Sequence, residues 1–529
     1  MKLVRLKLLE RYRSLEPFEQ SFPKPKFIVD EIDPICLVGL NGSGKSNFLE
    51  LLGDIFYFLD VFFLSYHVTP KPYTPYADNK KRLQIFFEIE YKINVEGQDE
   101  YVKIERFKES RTIKTVFSKF ENGNFKVVDD DFFQQFLPRV IAYTSGSNEL
   151  LSMPFIELQD YYAREVTYRV NMKKKSPSID EDEISQPNLT LMDFDSNAAI
   201  LISNFLLNEE KAKTVFEDTT RIKGLDSFRI VIRLDKGYST NKIDLPSEFE
   251  TYIDKLKKCA TCYNLLTPDK KRGDVYYFDY LVNNATRLKF KNEFENSQNL
   301  FTALYKLNLL NTFSVQKEYR NTLRKKRENG ILLKFPTIAT LDKIFSIEQV
   351  ELVLKKPTVR TEYMKISDGE HQFIHVVGAM LLFDVPGSKE IIYLFDEPDT
   401  HFNPQWRSKF FSQLNSLIQC RNHELLLTTH SPFILSDCHG YNVFKFTREK
   451  NGEKVYFSRI EDETYGASFS NILKNAFEFE NLVSEKSLTD LESLVNATES
   501  VYKQKINLFG DSVEKLYVIK EIEEQKNKK

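Results

Sequence analysis

The run GLNGSGKS at residues 39–46 fills the four fixed positions of the pattern GxxxxGK[ST]. Chance would place such a match somewhere in a chain of this composition about once in a hundred tries. Gly39, Gly42 and Gly44 free the backbone to curl its N–H groups around an anion, and a following helix adds the positive end of its dipole. Lys45 is then placed to bridge the outer phosphates of a nucleotide, and the Ser46 hydroxyl to ligate Mg2+. The competing reading is an ordinary glycine-rich turn. At 351 residues beyond Lys45, the apolar run Ile391 to Phe395 ends in Asp396 and Glu397. Asp396 suits Mg2+ through its water shell, and Glu397 suits activation of an attacking water. Adjacent acids at a strand end are commonly just solvated. Ser367, Asp368 and Gly369 open a helix, where a serine hydroxyl and a glycine N–H make a second anion cradle. His430 closes the run ELLLTTH, a position from which an imidazole contacts a terminal phosphate. Taken singly, Ser367 reads as a helix N-cap and His430 as a core imidazole. Their order and spacing with the other two motifs favour one phosphate site.

Such residues need particular elements behind them. PICLVGL (34–40) is a short apolar strand running into the glycine loop, and KSNFLELLGDIF follows it with helical spacing. After about residue 340, EIIYLFD and ELLLTTH read as buried strands separated by the helical run NPQWRSKFFSQLNSLI. Strands alternating with helices predict a mostly parallel sheet with its chemistry at the strand C-termini. LQIFFEIEYKI, YVKIERF and TIKTVFSKF predict a strand meander, and 173–188 and 267–274 read as linkers. No internal repeat and no sustained heptad is evident. The expected fold is α/β: a mixed, largely parallel sheet with helices on both faces, a large α+β insertion and a helical C-terminal tail. The expected divisions are 1–150 (phosphate-loop part), 151–340 (insertion), 341–475 (acid-bearing part) and 476–529 (tail). Within the tail, LFGDSVEKLYVIKEIEEQ predicts an amphipathic helix with Leu516, Val518, Ile519 and Ile522 on neighbouring turns.

Other features are weaker. Lys+Arg 74 against Asp+Glu 77, a net charge of -3 over 529 residues, rules out a globally basic nucleic-acid coat but not a basic patch. Cys36, Cys259, Cys262, Cys420 and Cys438 are too sparse for a disulfide framework and read as reduced thiols. The single CxxC at 259–262 lacks the further ligands a zinc site needs. His371 and His375 have metal-ligand spacing, but Gln372 stands where HExxH has its base. Lys317, Arg320, Arg324, Lys325, Lys326 and Arg327, with Tyr319 among them, form either a nucleic-acid track or a solvated helix face. The acidic runs 129–131 and 180–183 lack the context of a nuclease metal site. With no signal peptide and no apolar run long enough for a span, the expectation is a soluble, cytoplasmic protein with no membrane partner.

Together the four motifs resemble the ABC-type ATPases, specifically the branch of SMC, RecF and OLD proteins. GLNGSGKS is similar to that branch's Walker A, SDGEHQ (367–372) to its signature motif, FDEPDTHFNP to its Walker B and D-loop, and THSP to its switch-histidine motif. The resemblance covers roughly 1–150 and 340–475. It implies ATP and Mg2+ as cofactors, and ATP hydrolysis as the reaction. It further implies nucleotide contacts from Gly39, Asn41, Gly42, Ser43, Gly44, Lys45, Ser46 and Asn47, and from Arg13 in YRSL (12–15). Metal contacts would come from Ser46 and Asp396, and catalysis from Glu397 and His430. Ser367, Gly369 and Asp399 would meet the nucleotide held by a second subunit, so the working form would be at least a homodimer. Asn403 replaces the histidine frequent in the branch. YTSGSNELLSMPF (143–155) further resembles restriction-system-associated AAA-family ATPases similar to the Septu subunit. Those bacterial anti-phage proteins work with an HNH nuclease, sometimes alongside a retron. That implies an HNH-type nuclease partner and contact with DNA or retron RNA/DNA, the chain itself not being the nuclease. Gln159 and Asn148 both fit the Q-loop position. The alternative is a RecF-like DNA-repair ATPase with no nuclease partner.

Overall fold

The computed structural model describes residues 1–22, 32–64, 85–146, 149–173, 183–235, 243–267, 273–328, 336–355, 359–385, 387–418, 423–449, 452, 454–479 and 483–527. They resolve into two units, Met1–Gly466 and Ala467–Lys529.

In the first unit, a seven-stranded sheet carries the site. Its order is β18 (Val455–Arg459), β17 (Val443–Arg448), β3 (Ile35–Val38), β16 (Glu424–Thr428), β15 (Ile391–Asp396), β8 (Arg139–Thr144), β9 (Leu189–Met192). All pairs are parallel except β17 with β18. Every residue of β3, β15 and β16 is buried. That is what unbroken apolar runs do in a parallel sheet covered on both faces. The register sets Asp396 opposite both Thr144 and Thr428. The C-terminal ends of three strands are therefore level, and the loops leaving them converge. β16 separates the phosphate-loop strand from the acid-ended one.

A six-stranded antiparallel sheet, β2 (Phe18–Ser21), β1 (Lys2–Leu8), β4 (Phe87–Val95), β5 (Gln98–Glu109), β6 (Thr112–Glu121), β7 (Asn124–Val127), contains the expected meander. In β1 a bulge between Leu3 and Arg5 resets the alternation, so Leu3, Leu6 and Leu8 all face inward. Helix α1 (Lys45–Phe63) is buried along most of its length. Phe56 and Phe58 meet Tyr91 and Phe87 of the antiparallel sheet, while α1 also packs against β15 and β16. A third sheet has the order β11 (Cys262–Leu266), β12 (Val275–Leu281), β10 (Ile222–Arg233), β13 (Phe345–Leu354), β14 (Arg360–Glu362).

Part of the region expected as an insertion joins the seven-stranded sheet. β9 forms an edge of the parallel sheet, beyond helix α2 (Glu149–Lys173). Helix α3 (Phe194–Leu207) packs on α5 (Asp368–Leu382), where Asn204 donates to the Gly378 carbonyl at 2.9 Å. A Cβ on Gly378 would meet Ile200 at 3.0 Å, so glycine permits this close crossing. Conversely β13, expected with the acid-bearing part, pairs with β10 of the third sheet. Helices α4 (Lys317–Glu328) and α6 (Pro404–Leu417) complete the elements used below. Among the described residues no helix is long and apolar enough to cross a membrane.

The second unit has its own small core of Leu491, Leu494, Ile506, Val518 and Ile522, with Ile519 partly buried against it. Helix α7 (Val513–Asn527) presents Val518 and Ile522 inward, four residues apart. Leu516, two residues before Val518 and so nearly opposite on the helix, is 66% exposed. The apolar stripe expected from the sequence is thus narrower by one residue.

Candidate active site

The phosphate loop has the backbone its glycines permit. Gly39 sits at φ 142 and a Cβ there would approach the Phe446 carbonyl to 2.4 Å, while Gly42 (φ 74) has nothing near it. Gly44 (φ 97) is the residue before α1, so the helix N-terminus opens directly onto the loop. The Lys45 ammonium is buried and donates to the carbonyls of Gly39 (3.0 Å) and Leu40 (3.2 Å). Burial lowers its pKa, opposed by the charges of Glu397 and Asp396. The Ser43 hydroxyl is buried with no hydrogen-bond partner among the described residues, and Asn41 is exposed. Asn47 donates to the Ser14 hydroxyl at 2.5 Å. Arg13, in left-handed backbone (φ 53), pairs with Glu50 of α1 at 3.0 Å.

The acids meet this loop. Ser46 Oγ lies 3.1 and 3.2 Å from the two carboxylate oxygens of Asp396. Thr428 Oγ1 donates to Asp396 at 2.6 Å and accepts from the Glu397 N–H at 2.9 Å. Glu397 itself takes φ 52, a left-handed backbone uncommon for a non-glycine residue and met where a functional turn is tightly held. Its Oε1 is 3.6 Å from His430 Nε2. Partial burial, then the Lys45 charge, lower the His430 pKa, opposed by the charges of Glu397 and Asp396. Thr400 Oγ1 donates to the Glu397 carbonyl (2.9 Å) and lies 3.3 Å from Ser145 Oγ at the end of β8.

The remaining candidates stand differently. Ser367 is the N-cap of α5 in a complete capping box, its hydroxyl and N–H bonded to Glu370 at 3.0 and 2.9 Å. A Cβ on Gly369 would meet the His401 carbonyl at 2.8 Å. The contacts holding these two residues are thus with their own helix and with the turn 397–401, not with the phosphate loop. Asp399 is buried, bonded to Thr429 Oγ1 at 3.0 Å and 3.4 Å from Arg407; burial raises its pKa and Arg407 opposes that. Asn403 is the N-cap of α6, accepting from the Trp406 N–H at 2.9 Å. Gln159 donates to Tyr305 at 3.2 Å beside a cavity of about 440 Å³, and Asn148 lies outside the described residues. His371 and His375 pack on aromatic rings, Tyr363 at 4.7 Å and Tyr143 at 5.4 Å. On α4, Lys325, Lys326 and Tyr319 are exposed and Leu323 is buried, whereas the side chains of Lys317, Arg324 and Arg327 lie outside the described residues.

Sequence reasoning missed Thr428, Thr400, Ser145 and Gln372. For Thr428 a partial signal was present: it directly follows the apolar run Leu425 to Leu427, though its register with Asp396 is visible only in the fold. For Gln372 there was none, because its partners are 25 and 29 residues away.

A glycine phosphate loop, an acid-ended strand nearby and a largely parallel sheet define the class of P-loop nucleotide-binding proteins. The chain belongs to the family described as "AAA domain, putative AbiEii toxin, Type IV TA system", whose pattern matches residues 35–436. It is 23% identical over 294 residues to Protein ea59 of Escherichia phage lambda, a match covering 51% of this chain and 49% of that protein. The chain therefore spans about half the length of that relative. Among solved structures it is similar to the SMC head domain from Thermotoga maritima, with a TM-score of 0.32, 11% identity, and coverage of 87% of this chain and 100% of that one.

Proposed function

We propose that the chain binds ATP with Mg2+ and hydrolyses it. The supporting observation is the joining of Ser46, Asp396, Glu397 and His430 through contacts of 2.6 to 3.6 Å, with Thr428 bridging the two acids and the charges of both acids felt by the neighbouring Lys45. The residues fit the groups. The buried, unpartnered Ser43 hydroxyl and the open side of Gly42 suit phosphate oxygens, and Ser46 with Asp396 offers the hard oxygens Mg2+ takes. When bound, Mg2+ supplies charge neutralisation at the phosphate oxygens. Lys45 turns from the loop carbonyls to the outer phosphates. Glu397 accepts the proton of the attacking water, and neutral His430 donates a hydrogen bond to the terminal phosphate.

In the same reading the working unit is a homodimer in which Ser367 and Gly369 of one subunit face the nucleotide of the other. It controls a separate nuclease in defence against phage. The family's description, with its toxin and toxin–antitoxin system, supports a conflict role. The HNH-type partner rests on the resemblance of residues 143–155 alone.

Lys45→Ala and Glu397→Gln test the core of this. Lys45→Ala should lose ATP binding. Glu397→Gln keeps shape but cannot take a proton, so it should bind ATP, turn over about 10²–10⁴-fold more slowly, and accumulate as an ATP-bound dimer on a sizing column. Wild-type hydrolysis by Lys45→Ala in a clean preparation would refute the assignment. Co-purification with the product of an adjacent small HNH gene tests the defence role.

A further inference from the structure

The carboxamide of Gln372 joins parts of the site that lie far apart in the chain. It is buried in the second turn of α5, five residues after Ser367. Its Nε2 donates to the Glu397 carbonyl at 3.2 Å, and its Oε1 accepts from the His401 N–H at 2.7 Å. Tyr143, on β8, lines the same cavity as this amide. One side chain thus holds both ends of the turn 397–401. A second contact lies a turn earlier, where Gly369 packs so closely on the His401 carbonyl that a Cβ would come within 2.8 Å. A buried amide bonded at both ends has one rotamer and one orientation open to it. The turn needs such a hold, because Glu397 keeps its left-handed φ of 52 only where its surroundings enforce it.

We propose that Gln372 is the positioning residue for Glu397. It locks α5 to the 397–401 turn, so that a push on the start of α5 moves the Glu397 carboxylate relative to His430. The inference rests on the ATPase reading and adds to it a mechanical link from the signature helix to the base.

The test uses the full chain with Gln372→Leu, which fills the space without a donor or acceptor, and Gln372→Glu, which keeps only the acceptor. Amide hydrogen exchange across 397–401, affinity for a fluorescent ATP analogue and kcat are measured for each. Gln372→Leu should speed exchange at the His401 amide and lower kcat on the order of 10²-fold, with affinity held within about threefold. Gln372→Glu should keep His401 protected and still lose turnover, since a carboxylate cannot donate to the Glu397 carbonyl. Unchanged exchange in Gln372→Leu removes the clamp, whether or not the protein hydrolyses ATP. Faster exchange with wild-type kcat removes the positioning role, and affinity falling in step with kcat reduces Gln372 to a structural residue. Should Gln372→Leu fail to fold, the Gln372→Glu arm decides. A wild-type protein that binds ATP without turnover overturns the ATPase reading, while the exchange arm still decides the clamp.

Discussion

His375 is buried against Tyr143, and burial drives its pKa from 6.5 down to about 4. A folded-state pKa below the unfolded one means that the unfolded chain binds the extra proton first. The stability held by this neutral imidazole is therefore fully present above pH 6.5 and is lost as the pH falls toward 4. Between pH 6.5 and 5 the loss amounts to about 2 kcal/mol. His375→Phe keeps a ring against Tyr143 and cannot titrate, so its urea midpoint should fall less than that of the wild type over this range. Equal slopes would show that His375 does not carry the dependence. Asp193, pushed up to about 6 by burial, acts in the opposite sense but is present in both proteins. The same scale shows what a sequence can and cannot reveal. Lys45, Ser46, Asp396 and Glu397 were legible because their chemistry is local: a glycine loop, or an apolar run with acids at its end. Gln372 matters through tertiary contacts that no local spacing encodes, and for Thr428 the sequence shows its place after an apolar run but not the cross-strand register that sets it beside Asp396.

At the scale of elements, the parallel strands were legible as unbroken apolar runs and the meander as alternation. The partners of edge strands were not. Leu189–Met192 is four residues long, and nothing in it distinguishes a strand of the parallel sheet from one in an insertion. Ser367 shows a second ambiguity. A capping serine and a phosphate-binding serine have one sequence signature, and the capping box is formed here. The phosphate role proposed for it would require a second subunit, which makes it testable by mixing. Lys45→Ala and Ser367→Arg are each expected to be inactive. In their mixed dimers, about half of those formed from an equimolar mixture, one site carries both lesions and the other neither, so roughly a quarter of wild-type turnover should return to the mixture. Proven mixed dimers with no recovered turnover would count against a shared site.

For the whole molecule, the division at Gly466 matters more than one drawn within the tail. A cut after Gly466 removes residues 467–529 as a unit with its own core. A cut near 500 instead leaves Leu491 and Leu494 without Ile506, Val518 and Ile522, each burial being worth about 1.5–3 kcal/mol. The shorter chain should therefore stay monodisperse and keep its ATP turnover, while the longer one should be nicked by protease between 467 and 500. Loss of turnover in the shorter chain would assign the unit a part in the site. The place of β3 in its sheet also dictates an order of events during synthesis. Both neighbours of β3 begin beyond residue 423, whereas β1, β2 and β4 to β7 are complete by Val127. On a ribosome adding about 5–20 residues per second, β3 waits on the order of 20–80 s for its first partner. The antiparallel sheet and α1 can assemble in that interval, so the nascent chain acquires its scaffold first and closes the phosphate-loop strand into the parallel sheet only once β16 has been made.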